Sequence, residues 1–176
     1  MKIKWNTITT EELAGLIGSR LEKHGIEGIL VGGSCVTIYS KNKYVSEDLD
    51  YVTYASVKEI KPVLSKIGFE QKSSRHFEHP ECPYFIEFLA PPVSIGEESP
   101  IKRFNKIKTA KGIIKLLTPT DCVKDRLAAY FHWNDPQSLE QAILVAKSRR
   151  INLKEIKRWS EKEKAGSKYR IFKNRL

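Results

Sequence analysis

Gly28-Ile29-Leu30-Val31-Gly32-Gly33-Ser34 is followed, after thirteen intervening residues, by Asp48-Leu49-Asp50-Tyr51-Val52. The apolar run up to Val31 reads as a buried strand that ends in a small-residue turn. Gly32 and Gly33 carry no side chain, so backbone N–H groups there are open to a phosphate. Ser34 adds a hydroxyl at the start of a short predicted helix carrying Val36, Ile38 and Tyr39. The second stretch, Leu49 to Tyr54, alternates and is rich in strand formers. A strand projects residues i and i+2 to the same side, so Asp48 and Asp50 share a face. Two such carboxylates repel, and one tends to take up a proton unless a cation intervenes. A hard divalent cation bound through oxygen ligands removes that conflict.

A third carboxylate lies further along. Tyr84-Phe85-Ile86-Glu87-Phe88-Leu89 reads as a strong strand, ended by Ala90-Pro91-Pro92. Glu87 stands alone among residues suited to burial, where a carboxylate needs a partner, a metal or a proton. It is the candidate to complete a metal site with Asp48 and Asp50.

Outward from these motifs, Thr9 to Glu12 form a capping box before a helical stripe of Leu13, Leu16, Ile17 and Leu21, with Gly25 as the stop. Lys41-Asn42-Lys43 is a polar turn. Ser56 to Ile67 reads as a helix closed by Gly68, with Pro62 as a local irregularity. Phe69 to Ser73 reads as an edge strand, Arg75 to Pro83 as a loop or hairpin connection, Val93 to Ser99 as turn-rich, and Ile113 to Leu117 as one more strand. The character then changes. Thr118-Pro119-Thr120-Asp121 supplies a cap, a proline at the first helical position and an acid in the first turn. Asp135-Pro136 opens a second helix, and Asn152 to about Ala165 reads as a third. The expected layout is an α/β front over residues 1–117 and a helical back over 118–176.

The chain has 176 residues and a formal net charge of +10. Residues 147–176 hold 12 of its 31 Lys and Arg but only 3 of its 21 Asp and Glu, which places +9 in the tail and +1 elsewhere. A concentrated basic tail suits a polyanion such as RNA or DNA; the plainer reading is a solubilising C-terminus. No apolar run is long enough to span a membrane, and Met1 to Asn6 lack the apolar core of a signal peptide. Three scattered cysteines, Cys35, Cys82 and Cys122, fit reduced thiols in a cytosol.

The apolar strand with Gly32-Gly33-Ser34, the Asp48-Leu49-Asp50 triplet and the later Glu87 together resemble the nucleotidyltransferase superfamily related to DNA polymerase beta. That resemblance covers the front two thirds. It implies a mixed β-sheet flanked by helices, a nucleoside triphosphate, Mg²⁺ (or Mn²⁺), and transfer of a nucleotidyl group to a hydroxyl with loss of pyrophosphate. It assigns the metals to Asp48, Asp50 and Glu87, with Glu87 also helping to activate the acceptor, and the triphosphate to Gly32, Gly33 and Ser34. The back part, Thr118 to Leu139, resembles stand-alone prokaryotic nucleotidyltransferase-like proteins, including distant relatives of AbiEii-type toxins. These carry a Lys where Arg126 stands. The resemblance implies a partner in a toxin–antitoxin pair, with Arg126 still able to contact phosphate; without it, Asp125 and Arg126 read as an ion pair on a helix surface. The basic tail suggests an RNA acceptor such as tRNA. A Walker loop is absent.

Three further groupings invite chemistry. His76, His79 and Cys82 offer three metal ligands in seven residues, but Pro80 and Pro83 interrupt the loop and a fourth ligand is not evident. Tyr130 to Trp133 offer aromatic rings that would stack on a base or pack on the sheet. Cys35, beside the glycines, reads as a core filler.

Overall fold

The computed structural model describes residues 3–176; Met1 and Lys2, the start of the N-terminal stretch read above, lie outside them. A seven-stranded mixed sheet organises the front of the molecule. Its strands are β1 (Ile29–Val31), β2 (Asp48–Val52), β3 (Glu70–Ser73), β4 (His76–Glu78), β5 (Phe85–Leu89), β6 (Phe104–Lys108) and β7 (Ile113–Leu117), in the order β3-β4-β5-β2-β1-β7-β6. β1 runs parallel to β7 and antiparallel to β2, and β2 runs parallel to β5. The segment predicted as a loop or hairpin connection contains β4, which hairpins with β3 and also pairs β5.

Two helices cover one face. α1 (Thr10–Glu22) begins with the predicted capping box between Thr9 and Glu12. Its end is set by Gly25, at φ +72°, where the Ile26 N–H reaches back to the Leu21 carbonyl. α3 (Val57–Ser65) starts from a second capping box, Ser56 with Glu59, and accommodates Pro62. Under these helices lie Leu49, Tyr51, Ile86 and Phe88, all essentially buried, and the Tyr51 hydroxyl donates to the Ala14 carbonyl at 3.0 Å. This is the alternate half of the β2 and β5 pattern, so Asp48, Asp50 and Glu87 are left to the other face.

α2 (Gly32–Tyr39) springs directly from β1. Behind it stand α4 (Pro119–Trp133), capped by Thr118, and α5 (Pro136–Ser148), capped by Asp135. Arg149 closes the back onto the front by donating to the Tyr39 carbonyl at 3.0 Å. α6 (Leu153–Lys162) follows, capped by Asn152. The predicted third helix is thus shorter than expected, and the basic tail forms another, α7 (Gly166–Asn174), which buries Tyr169 and Phe172. One hydrophobic core contains residues from the front and the back.

The turn-rich segment 91–103 runs as a strap beside the exposed sheet face. α6 holds it: Trp159 Nε1 donates to the Ile95 carbonyl at 3.4 Å, and the Glu97 N–H donates at 2.7 Å to Glu163, whose side chain is fully buried. Lys124 on α4 holds Glu98.

Candidate active site

Pairing register brings the acids to one place. Asp50 lies opposite Glu87 on the parallel neighbour β5, and opposite Val31 on β1. Asp48 is opposite Phe85. All three carboxylates therefore stand on the face away from α1, at the end of β1 where α2 begins. Asp50 is the most perturbed. Burial, then the charges of Asp48 and Glu87, push its carboxyl up to about 7, while the Arg126 guanidinium pulls the other way.

The glycines fit this face closely. Gly32 adopts φ +67°, in the left-handed region, and a Cβ there would lie 2.6 Å from Asp50 Oδ2. The glycine turn thus lets the Asp50 carboxylate rest against the backbone. A Cβ on Gly33 would lie 2.6 Å from the Ser46 hydroxyl oxygen. That hydroxyl donates to Asp48 Oδ1. Ser34, expected at the phosphate, is buried and donates its hydroxyl to the Asp48 carbonyl, tying α2 to the start of β2. Ser46 was not evident from sequence; its position two residues before Asp48 is the only local signal.

Arg126 comes to the site from α4, but it is engaged. Its Nε and Nη2 donate to Asp125 Oδ2 at 3.0 and 2.6 Å, and Nη1 donates to Gln141 Oε1 at 3.4 Å. Both charges are largely buried, where a helix-surface pair would be open to water. Burial opposes the guanidinium charge, and Asp125 more than compensates, holding its pKa above the ordinary arginine range.

Asp48, Asp50 and Glu87 sense one another's charge without closing up. Among the described residues, no three His, Cys, Asp or Glu side chains form a ready-made metal cluster. The donor chemistry nonetheless fits a hard divalent cation: three carboxylates share one face, and burial, then the charges of Asp48 and Glu87, raise the Asp50 pKa, a cost that a cation relieves. The His76, His79 and Cys82 trio does not assemble. His79 packs between Trp5 and Phe69, with ring centroids at 4.3 and 5.4 Å, while His76 lies tilted against Phe85 and hydrogen-bonds Glu78 at 2.7 Å. Of the aromatic run, Phe131 stacks on Trp159 in the core and Trp133 is exposed. Among the described residues, no helix is long and apolar enough to cross a membrane.

No family model matches the sequence, and no curated protein is similar to it in sequence. Solved structures are similar in fold. An antigenic nucleotidyltransferase-like protein from Paracoccidioides brasiliensis is 13% identical with a TM-score of 0.62, over 81% of this chain and 77% of that one. The antibiotic-resistance factor ANT(2'')-Ia in solution is 12% identical with a TM-score of 0.51, over 92% of this chain and 90% of its own. The same factor crystallised with adenylyl-2''-tobramycin is 12% identical with a TM-score of 0.52, over 92% of this chain and 98% of that one. At such identities the likeness speaks for the architecture: the chain has a nucleotidyltransferase-like fold, a mixed sheet flanked by helices with a helical C-terminal part.

Proposed function

We propose that the protein is a divalent-metal-dependent nucleotidyltransferase that moves a nucleoside monophosphate from a nucleoside triphosphate to a hydroxyl of an RNA acceptor. The observation that carries this reading is the Asp50–Glu87 register, with Asp48 on the same face and Gly32 against Asp50. The neighbours' nucleotidyltransferase descriptions support it. In the reaction an acceptor oxygen attacks the α-phosphorus, the bond to the β-phosphate oxygen breaks, and pyrophosphate leaves. Asp48, Asp50 and Glu87 would hold Mg²⁺ or Mn²⁺, which supplies charge neutralisation at the attacking and leaving oxygens when bound. Glu87 would receive the acceptor's proton. Gly32 and Gly33 give the triphosphate access to the backbone at the start of α2. Arg126 would contact phosphate only by loosening its hold on Asp125. A toxin of a toxin–antitoxin pair is the setting we propose for this activity.

Incubation with α-labelled triphosphates, Mg²⁺ and total RNA tests the reading. Label should enter RNA and fall at least a thousandfold in the Asp48→Asn, Asp50→Asn double variant. Label that persists in that variant would sink the assignment, and label on protein instead would change the acceptor. One observation favours a second reading, a nucleotide- or partner-binding protein without turnover: the acids stay apart and Ser34 is engaged within the fold. Triphosphate binding that shows no dependence on Mg²⁺ in calorimetry would select it.

A further inference from the structure

We propose that a cationic groove beside the strap binds the sugar–phosphate backbone of single-stranded nucleic acid and leads the strand end over residues 100–102 to the acidic face. The proposal rests on the nucleotidyltransferase reading for what happens at that end, but not for the binding itself. Two adjoining cavities of about 590 and 480 Å³ share Thr120 and Asn152 in their walls. Four exposed cations line them: Lys102 and Arg103 from the strap, and Arg150 and Lys154 from the junction of α5 and α6. Among the described residues, none of the four forms an ion pair, whereas the acids nearby are engaged with other cations. Glu98, Asp121 and Glu155, which share the wall, surround buried Lys124, and Glu155 also holds Arg158. Most of the basic tail is exposed, and only a few of its cations are held by the fold or by a neighbouring acid. Arg149 is bound to the Tyr39 carbonyl, Lys168 to the Phe131 carbonyl, and Arg175 to Glu140. Lys162, Lys164, Arg170 and Lys173 are exposed elsewhere on the tail, and what sets the groove apart is that four such cations line two adjoining cavities.

The groove also has an exit toward the acids. Pro100, Ile101 and Lys102 line both it and a further cavity of about 250 Å³ on the exposed sheet face, bounded by Val52, Phe104 and Tyr54. Tyr54 is 81% exposed, unusual for a large ring with nothing to cover it. Val52 stands two residues from Asp50 on the same side of β2. A cationic track followed by an open aromatic ring is the arrangement that binds unpaired strands, phosphates to the cations and a base to the ring. A duplex would keep its bases from Tyr54, and an acidic peptide has no use for the ring.

Fluorescence anisotropy tests this with 5'-labelled twelve-nucleotide RNA and DNA of one sequence, in chelator and without triphosphate, across a salt series. Arg150→Glu with Lys154→Glu, or Lys102→Glu with Arg103→Glu, should weaken binding at least tenfold. Each pair should also flatten the salt dependence by about 1.4, the share of two single-strand phosphate contacts. Tyr54→Ala should weaken binding about tenfold and leave the salt slope unchanged. Lys58→Glu with Lys61→Glu on α3, across the sheet, should stay within twofold of wild type. Unchanged thermal midpoints would show that all these surface variants fold. The proposal falls if the groove variants bind like wild type, or if the α3 control loses as much. It falls also if inorganic polyphosphate or polyglutamate displaces the strand as readily as unlabelled RNA while Tyr54→Ala has no effect. Binding that survives while transfer is absent from wild type would overturn the enzyme reading and leave the groove; transfer that survives the groove variants would do the reverse.

Discussion

The molecule holds two groups of three carboxylates, and it treats them in opposite ways. Around Lys124, Glu98, Asp121 and Glu155 close on an ammonium that is 1% exposed, with contacts of 2.5, 3.4 and 3.3 Å. Burial works against the lysine's charge, and the Glu98 hydrogen bond with the three negative charges outweighs it, so its pKa rises. On the exposed sheet face, Asp48, Asp50 and Glu87 have no such centre. Arg126 acts on Asp50, yet the Asp50 carboxyl still rises to about 7. The first group is completed by the fold, and the second is left to be completed by something else. In the reading proposed above, a bound cation would play the part at the second group that Lys124 plays at the first.

Removing the centre of the first group should give the largest change in stability. Lys124→Met leaves three partly buried carboxylates without their cation and unfastens the strap at Glu98. We expect a loss of about 3–5 kcal/mol in denaturant unfolding. A loss under about 1 kcal/mol would show that water screens the hub, and the contrast between the two groups would collapse.

Neutralising one charge in the second group should have the opposite effect on stability. The folded Asp50 carboxyl lies above its ordinary value, so its ionisation opposes folding. Stability contributed by this group is greatest at low pH and falls between about 4 and 7, because the unfolded chain there gives up its proton first. Asp50→Asn should therefore stabilise the metal-free protein by about 1–3 kcal/mol at pH 8, after allowance for solvent screening, and the gain should shrink toward pH 4. Equal stability of variant and wild type at pH 8 would mean that the acids do not strain one another.

The cation itself sharpens the comparison. Millimolar Mg²⁺ or Mn²⁺ should raise the wild-type thermal midpoint by a few degrees through mass action, and should leave Asp48→Asn, Asp50→Asn unmoved. An equal rise in both would place the ion elsewhere on the surface.

The two groups also differ in how far the sequence reveals them. Asp48, Asp50 and the glycines are legible because a strand's two-residue period and a positive-φ turn are local properties, and the structure places Gly32 directly against Asp50. Glu87 is legible as one acid in an apolar strand. The lysine hub is not, since Glu98 and Glu155 lie 26 and 31 positions from Lys124 and only the fold assembles them. The spacing of Asp121 and Lys124, three residues apart on α4, is the one trace it leaves. Elements suffer likewise. β6 reads Phe-Asn-Lys-Ile-Lys, an edge strand with polar alternate residues whose order comes from pairing with β7. α7 hides Tyr169 and Phe172 among basic residues, so charge dominates its sequence while two rings fix it to the core. Ser34 read as open to a ligand because hydroxyl partners fourteen residues away cannot be inferred from a turn.

The smallest effect tests whether the lysine hub is complete with one cation. Arg158 grips Glu155 from outside with two hydrogen bonds of 2.8 and 2.7 Å, but its side chain is 56% exposed. Water competes for that guanidinium, and holding a long side chain in one geometry costs entropy that offsets the attraction. Arg158→Ala should then cost no more than about 0.5–1 kcal/mol, because Glu155 keeps Lys124 on its inner side. Measured together with Lys124→Met, the two losses should be unequal by several fold. If Arg158→Ala approached the cost of Lys124→Met, three carboxylates would need two cations to be stable in this fold. The acidic face, with Arg126 alone acting from one side, would then differ from the hub by one missing positive charge, and a single bound cation would suffice to make the two alike.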